Sequence, residues 1–417
     1  MSHKFRPESL MMSHGYNPEW SEGAVKCPIY QTSTFVFDKA ESGKAFFELA
    51  YGKREPNKNE VPGLIYSRLN NPDLQILEER LCLWDGAQEA AVFESGMSAI
   101  TTVLLEFLKP EDVLLYSRPV YGGTDHFINE VLPKYNIHVV EYFAWDTEEE
   151  ILQRLEQTGK AEKLRMIYCE TPANPTNEMF DLKMLKRIRD KFHVAESNEV
   201  VIAVDNTYLG PIWQHPLEHG ADLVIYSATK YIGGHSDIIA GAVLGSHAHM
   251  ARIKGLRTFM GNMAGPWTGW LLMRSLETLK LRMEAQQRNA EEVVKFLQSH
   301  ENVEKVYYLG LLESDSRSGK IREEQCKGTG AMVAFDVKGG ESGAFSFLNN
   351  LQLVKLAVSL GSTESLAQHP KSMTHAGVPD EDLKKLGITD SMVRLSVGVE
   401  HHDDIIWDLK QALDQVK

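Results

Sequence analysis

The stretch Asp222-Leu-Val-Ile-Tyr-Ser-Ala-Thr-Lys-Tyr-Ile-Gly-Gly-His-Ser236 is an apolar run that ends in small hydroxyl residues, a lysine and two glycines. Lys230 therefore follows a strand-like segment directly, with Ser227 and Thr229 beside it. A lysine at such a strand end can have its ammonium desolvated, which favours the neutral nucleophile, while hydroxyls and main-chain N–H groups stand ready for a phosphate. An amine that forms an imine with a phosphorylated aldehyde needs both conditions at once. An ordinary loop lysine is the alternative, and the remaining chemistry-bearing residues decide between the two.

Four features extend the pattern. Ser95-Gly96-Met97 follows the run Ala90–Phe93 and opens a helical segment, so its N–H groups and the helix dipole face an incoming anion; a plain N-cap is the alternative. Asp205 ends the apolar run Val200–Val204, where a carboxylate can pair with a pyridinium nitrogen and keep it protonated; a turn-forming aspartate is the other reading. Tyr121-Gly-Gly-Thr124 sets an aromatic ring beside two glycines, as a planar ligand stacked on that ring requires, although a turn would use the same residues. Arg394 interrupts an apolar strand in Val-Arg-Leu-Ser-Val-Gly-Val-Glu400 and must find an anion, either a substrate carboxylate or an intrachain partner.

These residues need a frame. From Asn71 onward, apolar runs alternate with segments of helical period: Ala90–Phe93, Asp112–Tyr116, Ile137–Tyr142, Arg165–Cys169, Val200–Val204, Asp222–Tyr226 and Ile239–Leu244. Met97–Leu108, Glu148–Gln157 and Leu182–Val194 are the clearest helices between them. The alternation predicts an α/β fold with a mostly parallel sheet covered on both faces, whose ligands gather at the carboxyl ends of the strands. Residues 1–70 are turn-rich and irregular, which predicts an arm lying on its own body or on a neighbouring subunit. Residues 71–275 form the large unit and 276–417 a smaller α+β unit. That unit is entered by one long helix, Thr268–His300, with strands Val303–Tyr308, Gly330–Phe335, Val354–Val358 and Met392–Val397. It closes on a helix, Asp404–Val416, capped by Asp403 or Asp404.

At 417 residues the chain exceeds what one core usually serves. With 44 basic against 58 acidic residues its net charge is −14, which disfavours nucleic acid and acidic membrane surfaces as partners. Cys27, Cys82, Cys169 and Cys326 lie far apart, which fits a reducing cytoplasm, and no metal knuckle is expected. There is no N-terminal apolar signal segment, and the most hydrophobic long stretch, Phe259–Met273, is broken by Gly and Pro. His215 with His219, and the His401–Asp404 cluster, offer a metal-hydrolase alternative. Pro216 lies inside the first pair, however, and the second cluster precedes a helix that it would cap.

Together with Thr171-Pro-Ala-Asn-Pro-Thr176 and Ser359-Leu-Gly361, these motifs resemble the pyridoxal-phosphate enzymes of the Cys/Met transsulfuration family, from about Leu10 to the C-terminus. The resemblance implies the type I aspartate-aminotransferase fold with a seven-stranded sheet, a homotetramer built as a dimer of dimers, and an active site shared between two subunits. It implies that Lys230 holds the cofactor, Asp205 partners the pyridinium, Tyr121 stacks on the ring and Asn174 lies near the ring hydroxyl. Ser95, Gly96, Met97, Ser227 and Thr229 would hold the phosphate, joined by Tyr66 and Arg68 from a neighbouring subunit's arm. Arg394 and Ser359 would clamp the substrate's α-carboxylate.

The implied activity is γ-elimination from a γ-substituted homoserine-like amino acid of the methionine, cystathionine, O-acylhomoserine or canavanine type, giving a 2-oxo acid and ammonia. Lys230 would be the base and Tyr121 the acid toward the leaving group; γ-replacement by a thiol is the alternative outcome. The stretch Ser359–His375 resembles the family's methionine γ-lyases. Gly123, where those enzymes carry cysteine, is shared with its cystathionine synthases and lyases and its sulfhydrylases. Arg257-Thr258 replace the lyases' Lys-Asp, and the segment Gly52–Gly63 is longer than the family leads one to expect. Both departures are expected near the substrate mouth.

Overall fold

Seven strands pair into one sheet in the computed structural model, which describes residues 3–57, 60, 63–194 and 198–416. They are β1 (Glu89–Phe93), β2 (Val113–Arg118), β3 (His138–Phe143), β4 (Leu164–Glu170), β5 (Val201–Asp205), β6 (Leu223–Tyr226) and β7 (Gly241–Gly245). Their spatial order is β1-β7-β6-β5-β4-β2-β3; β7 runs antiparallel to both neighbours and the other pairings are parallel. The expected mostly parallel sheet is therefore present. Near-continuous apolar sequence follows from cover on both faces. Within β5, Ile202 and Val204 pack with Ile151, Leu185 and Ile188 of the helices Glu148–Gln157 and Leu182–Phe192. Val201 and Ala203 face the other way, toward a cluster that includes Ile100, Val103 and Ile253.

A second sheet follows, in the order β10-β11-β12-β9-β8, from β8 (Val303–Tyr307), β9 (Met332–Val337), β10 (Lys355–Leu356), β11 (Leu366–Gln368) and β12 (Met392–Ser396). The helices Leu279–Ser299 and His402–Leu413 cover it through residues such as Val293, Leu297, Ile405 and Leu409.

Several sequence expectations need correction. The long helix Thr268–His300 is two helices, Pro266–Leu276 and Leu279–Ser299. At the break, buried Arg282 donates from Nη2 to the Ser275 carbonyl at 3.0 Å, an acceptor that a continuous helix would use in its own ladder, and from Nε to the Thr278 hydroxyl at 3.3 Å. The arm is not wholly irregular, because Ala40–Ala50 is helical. The C-terminal helix begins at His402, and its cap is His401, whose ring accepts from the Asp403 N–H at 3.3 Å, rather than Asp403 or Asp404. At three residues β11 is too short to show a period. Of the segment Gly52–Gly63, residues 58, 59, 61 and 62 lie outside the described residues.

Candidate active site

The carboxyl ends of β4, β5 and β6 open onto a cavity of about 220 Å³. Ser95, Gly96, Met97, Tyr121, Asn174, Asp205, Ser227, Thr229 and Lys230, nine residues that the sequence nominated from separate stretches, line it together.

Lys230 projects from the turn after β6, where its N–H is bonded to the Ser227 carbonyl at 3.0 Å. Its Nζ donates to Ser359 Oγ at 2.8 Å. Burial, assisted by the charge of Arg394, lowers its pKa from the ordinary 10.5 to about 8, so the neutral amine is within reach near neutral pH. Asp205 accepts the Thr207 N–H at 3.0 Å and the Tyr168 hydroxyl at 3.3 Å. Burial raises its pKa and these hydrogen bonds oppose the rise.

The helix Gly96–Phe107 starts against Ser227: a Cβ on Gly96 would meet Ser227 Cβ at 2.8 Å and Oγ at 2.9 Å, so only glycine lets the helix end come this close. Ser95 caps it by accepting the Ser98 N–H at 3.0 Å. The first-turn N–H groups have no intrahelical acceptor and are available to an anion. Thr229 Oγ1 is held between the carbonyl and the N–H of Ala240, at 3.2 and 3.0 Å. Helix start, hydroxyls, strand-end carboxylate and buried amine together fit a phosphorylated pyridine aldehyde.

Arg394 lies next to this cavity on β12. Its Nη1 donates to Asn174 Oδ1 at 3.1 Å and its Nη2 to the Ser359 carbonyl at 2.6 Å. Gln368, directly opposite on β11, presents its amide oxygen to the same guanidinium at 3.1 Å from Nη2, the amide being oriented by its hydrogen-bond partners. Among the described residues Arg394 makes no ion pair, so the intrachain alternative fails, and burial pushes its pKa down. A buried guanidinium held only by neutral groups is suited to an incoming carboxylate.

Tyr66 and Arg68 do not join the cavity of their own chain. Arg68 Nη1 donates to the Thr258 carbonyl at 2.9 Å, and its guanidinium sits 5.7 Å from the Tyr66 ring centroid. Arg257, expected at the substrate mouth, is instead buried, with Nη1 on Glu78 at 2.7 Å and on the Val92 carbonyl at 2.8 Å. His215 is occupied by the Pro211 carbonyl at 2.8 Å, and His401 by its helix cap. All four cysteines are free.

Glu170, Thr207, Tyr208, Ile239 and Leu360 also line the cavity and were missed. Glu170 carried the signal that revealed Asp205, an acidic residue ending an apolar strand. Gln368 sits on the strand too short to be read.

A strand-end lysine and aspartate under a helix N-terminus, on a mostly parallel seven-stranded sheet with a smaller second sheet behind, define a type I pyridoxal-phosphate enzyme. The family model described as Cys/Met metabolism PLP-dependent enzyme matches residues 8–414, and the chain belongs to that family: it is a pyridoxal-phosphate enzyme acting on an amino acid. It is 40% identical over 400 residues to an L-methionine gamma-lyase of Fusobacterium nucleatum, covering 94% of each chain. It is 36% identical over 412 residues to a cystathionine gamma-lyase of Bacillus subtilis, covering 99% of this chain and 100% of that one. Among solved structures, a cystathionine gamma synthase from Xanthomonas oryzae pv. oryzae superposes with a TM-score of 0.87 at 30% identity, over 99% of both chains. Among the described residues no helix is long and apolar enough to cross a membrane.

Proposed function

We propose that the protein catalyses γ-elimination from a γ-substituted homoserine-like amino acid, of the methionine, cystathionine, O-acylhomoserine or canavanine type, releasing a 2-oxo acid and ammonia. One observation carries the reading: a buried amine of lowered pKa, Lys230, shares its cavity with the phenol of Tyr121, so one site holds both a base and an acid. When bound, pyridoxal phosphate supplies a protonated ring that stabilises negative charge at the substrate's Cα.

The chain's residues do the rest. Lys230 would hold the cofactor and, once the substrate's amino group takes its place there, its freed Nζ would take the protons from Cα and Cβ. Asp205 keeps the proton on the ring nitrogen. Ser95, Gly96, Met97, Ser227 and Thr229 hold the phosphate, Tyr121 stacks on the ring and Asn174 faces the ring hydroxyl. Arg394, with Ser359, fixes the substrate's α-carboxylate. The Tyr121 phenol protonates the leaving group on Cγ. Tyr66 and Arg68 reach a neighbouring subunit's phosphate site, which makes a second copy of this chain part of the machinery and a dimer of dimers the proposed assembly. Support for that arm comes from the absence of both residues from their own cavity's lining. The four free cysteines support a reducing cytoplasm.

The likeness to a cystathionine gamma synthase, together with Gly123, favours a second reading in which a thiol replaces the leaving group. Incubation with methionine, cystathionine, O-acetylhomoserine and canavanine, with and without sulfide, tests both. A 2-oxo acid and ammonia support elimination; new thioether or thiol amino acids support replacement. The absence of all of these rejects both.

A further inference from the structure

Glu170 ends β4 as Asp205 ends β5, and the two are directly registered across the sheet. Both carboxyls line the cavity, yet only Asp205 has a task in the reaction. Glu170 Oε2 accepts the Tyr121 N–H at 2.6 Å, and the Asn174 main-chain N–H is turned toward the same carboxyl. Its own N–H is fixed to Ser117 Oγ at 2.9 Å.

Tyr121 lines the cavity, and its main chain is fixed on both sides. Glu170 accepts its N–H and the Asp125 N–H donates to its carbonyl at 2.9 Å, with the bare Cα of Gly123 beside the ring. Asn174, the other residue turned to this carboxyl, accepts from Arg394 Nη1 at 3.1 Å. Glu170 is thus the joint between the loop that presents the phenol and the loop that orients the guanidinium.

We propose that Glu170 is a positioning residue: by holding the Tyr121 main chain to the end of β4, with the Asn174 main-chain N–H turned toward the same carboxyl, it keeps phenol, ring plane and carboxylate clamp in one fixed geometry. The assignment rests on the roles given to Tyr121 and Arg394 above. It also accounts for a carboxyl buried where an apolar residue would cost less desolvation. Burial and the charge of Asp205 push Glu170 toward its neutral form. A neutral carboxyl still accepts through its carbonyl oxygen. Glutamine therefore preserves the joint, whereas aspartate keeps the acid but withdraws the acceptor by one methylene, about 1.5 Å.

The test compares Glu170→Gln, Glu170→Asp, Tyr121→Phe and the Asp/Phe double variant as holoenzymes, by visible circular dichroism of the bound cofactor and by kcat and KM for one amino-acid substrate. Glu170→Gln is expected to keep the wild-type band and kcat within about threefold. Glu170→Asp is expected to alter the band, raise KM and lower kcat by on the order of 10- to 100-fold, the scale of a misplaced catalytic group. Adding Tyr121→Phe to Glu170→Asp should cost clearly less than it costs the wild type, because the two losses share one cause. A wild-type band in Glu170→Asp, losses that multiply in the double variant, or a Gln variant as impaired as the Asp variant would each overturn the proposal. Full activity in Tyr121→Phe alone would reject the role of Tyr121 instead, and the circular dichroism would still judge Glu170.

Discussion

The hydroxyl that receives the Lys230 amine, at 2.8 Å, belongs to Ser359, whose main chain is held at φ 91°. A serine rarely adopts that conformation, which costs about 1–2 kcal/mol. Here it turns the side chain to Lys230 and the carbonyl to Arg394, two jobs from one residue. Ser359→Gly and Ser359→Ala both remove the hydroxyl, but only glycine relieves the backbone. Both should lower kcat, and the glycine variant should be more stable than the alanine variant by about 1 kcal/mol in urea unfolding. Equal stabilities would mean that the strain is absent.

Lys230 sets a pH dependence whose sign is fixed by its lowered pKa, from 10.5 to about 8. In the apoprotein, covalent capture of the cofactor aldehyde needs the neutral amine, so its rate should rise about tenfold per pH unit below pH 8 and level off above. Between pH 8 and 10.5 the unfolded chain binds the proton that the folded chain has released, so the lysine's contribution to stability rises with pH across that window. Arg394→Gln removes the second cause of the shift and should move the capture midpoint upward. A midpoint that stays put would show that Arg394 does not act on the amine.

The proposed function gives Asp205 the task of holding a proton on the cofactor's ring nitrogen. Asp205→Asn keeps the Thr207 contact through its carbonyl but cannot hold the positive charge. Loss of kcat by about 10²- to 10⁴-fold is expected, with cofactor still bound as judged by its absorbance. Retained turnover in that variant would remove Asp205 from the reaction.

How much of this was legible follows from what each element needs. Strands buried on both faces must be apolar throughout, so all seven of the large sheet were visible as runs, and Lys230 and Asp205 stood out as polar residues ending them. Long-range choices were not visible. The helix break at Ser275–Thr278 was hidden for a different reason: Arg282, which takes the Ser275 carbonyl, reads in sequence as one more polar position of a helical period. β11 depends on pairing with β12 rather than on its own three residues, so Gln368 was missed as the neighbour of Arg394. Arg257 was assigned to the substrate mouth from the family resemblance, and its burial goes with Glu78, a partner 179 residues away.

Gly123 offers a direct probe of what separates elimination from replacement. A Cβ there would lie 2.9 Å from Tyr121 Cε1 and 3.1 Å from Met97 Sδ, so a larger residue must displace one of them. The Met97 thioether is adaptable, but the Tyr121 ring, which faces the open cavity, is the part free to swing. Gly123→Ala should therefore shift the ring and lower kcat by roughly tenfold, equivalent to about 1.4 kcal/mol, with the unfolding midpoint little changed because the displaced ring faces the cavity. Gly123→Cys, the residue that the resemblance gives to the methionine γ-lyases, adds bulk beside the phenol and so tests whether space there admits a thiol. Its yield of 2-oxo acid relative to thiol-replacement product, measured with O-acetylhomoserine and sulfide, should rise above that of the wild type. An unchanged product ratio alongside a lowered kcat would confine Gly123 to seating the tyrosine, with no say in the fate of the substrate.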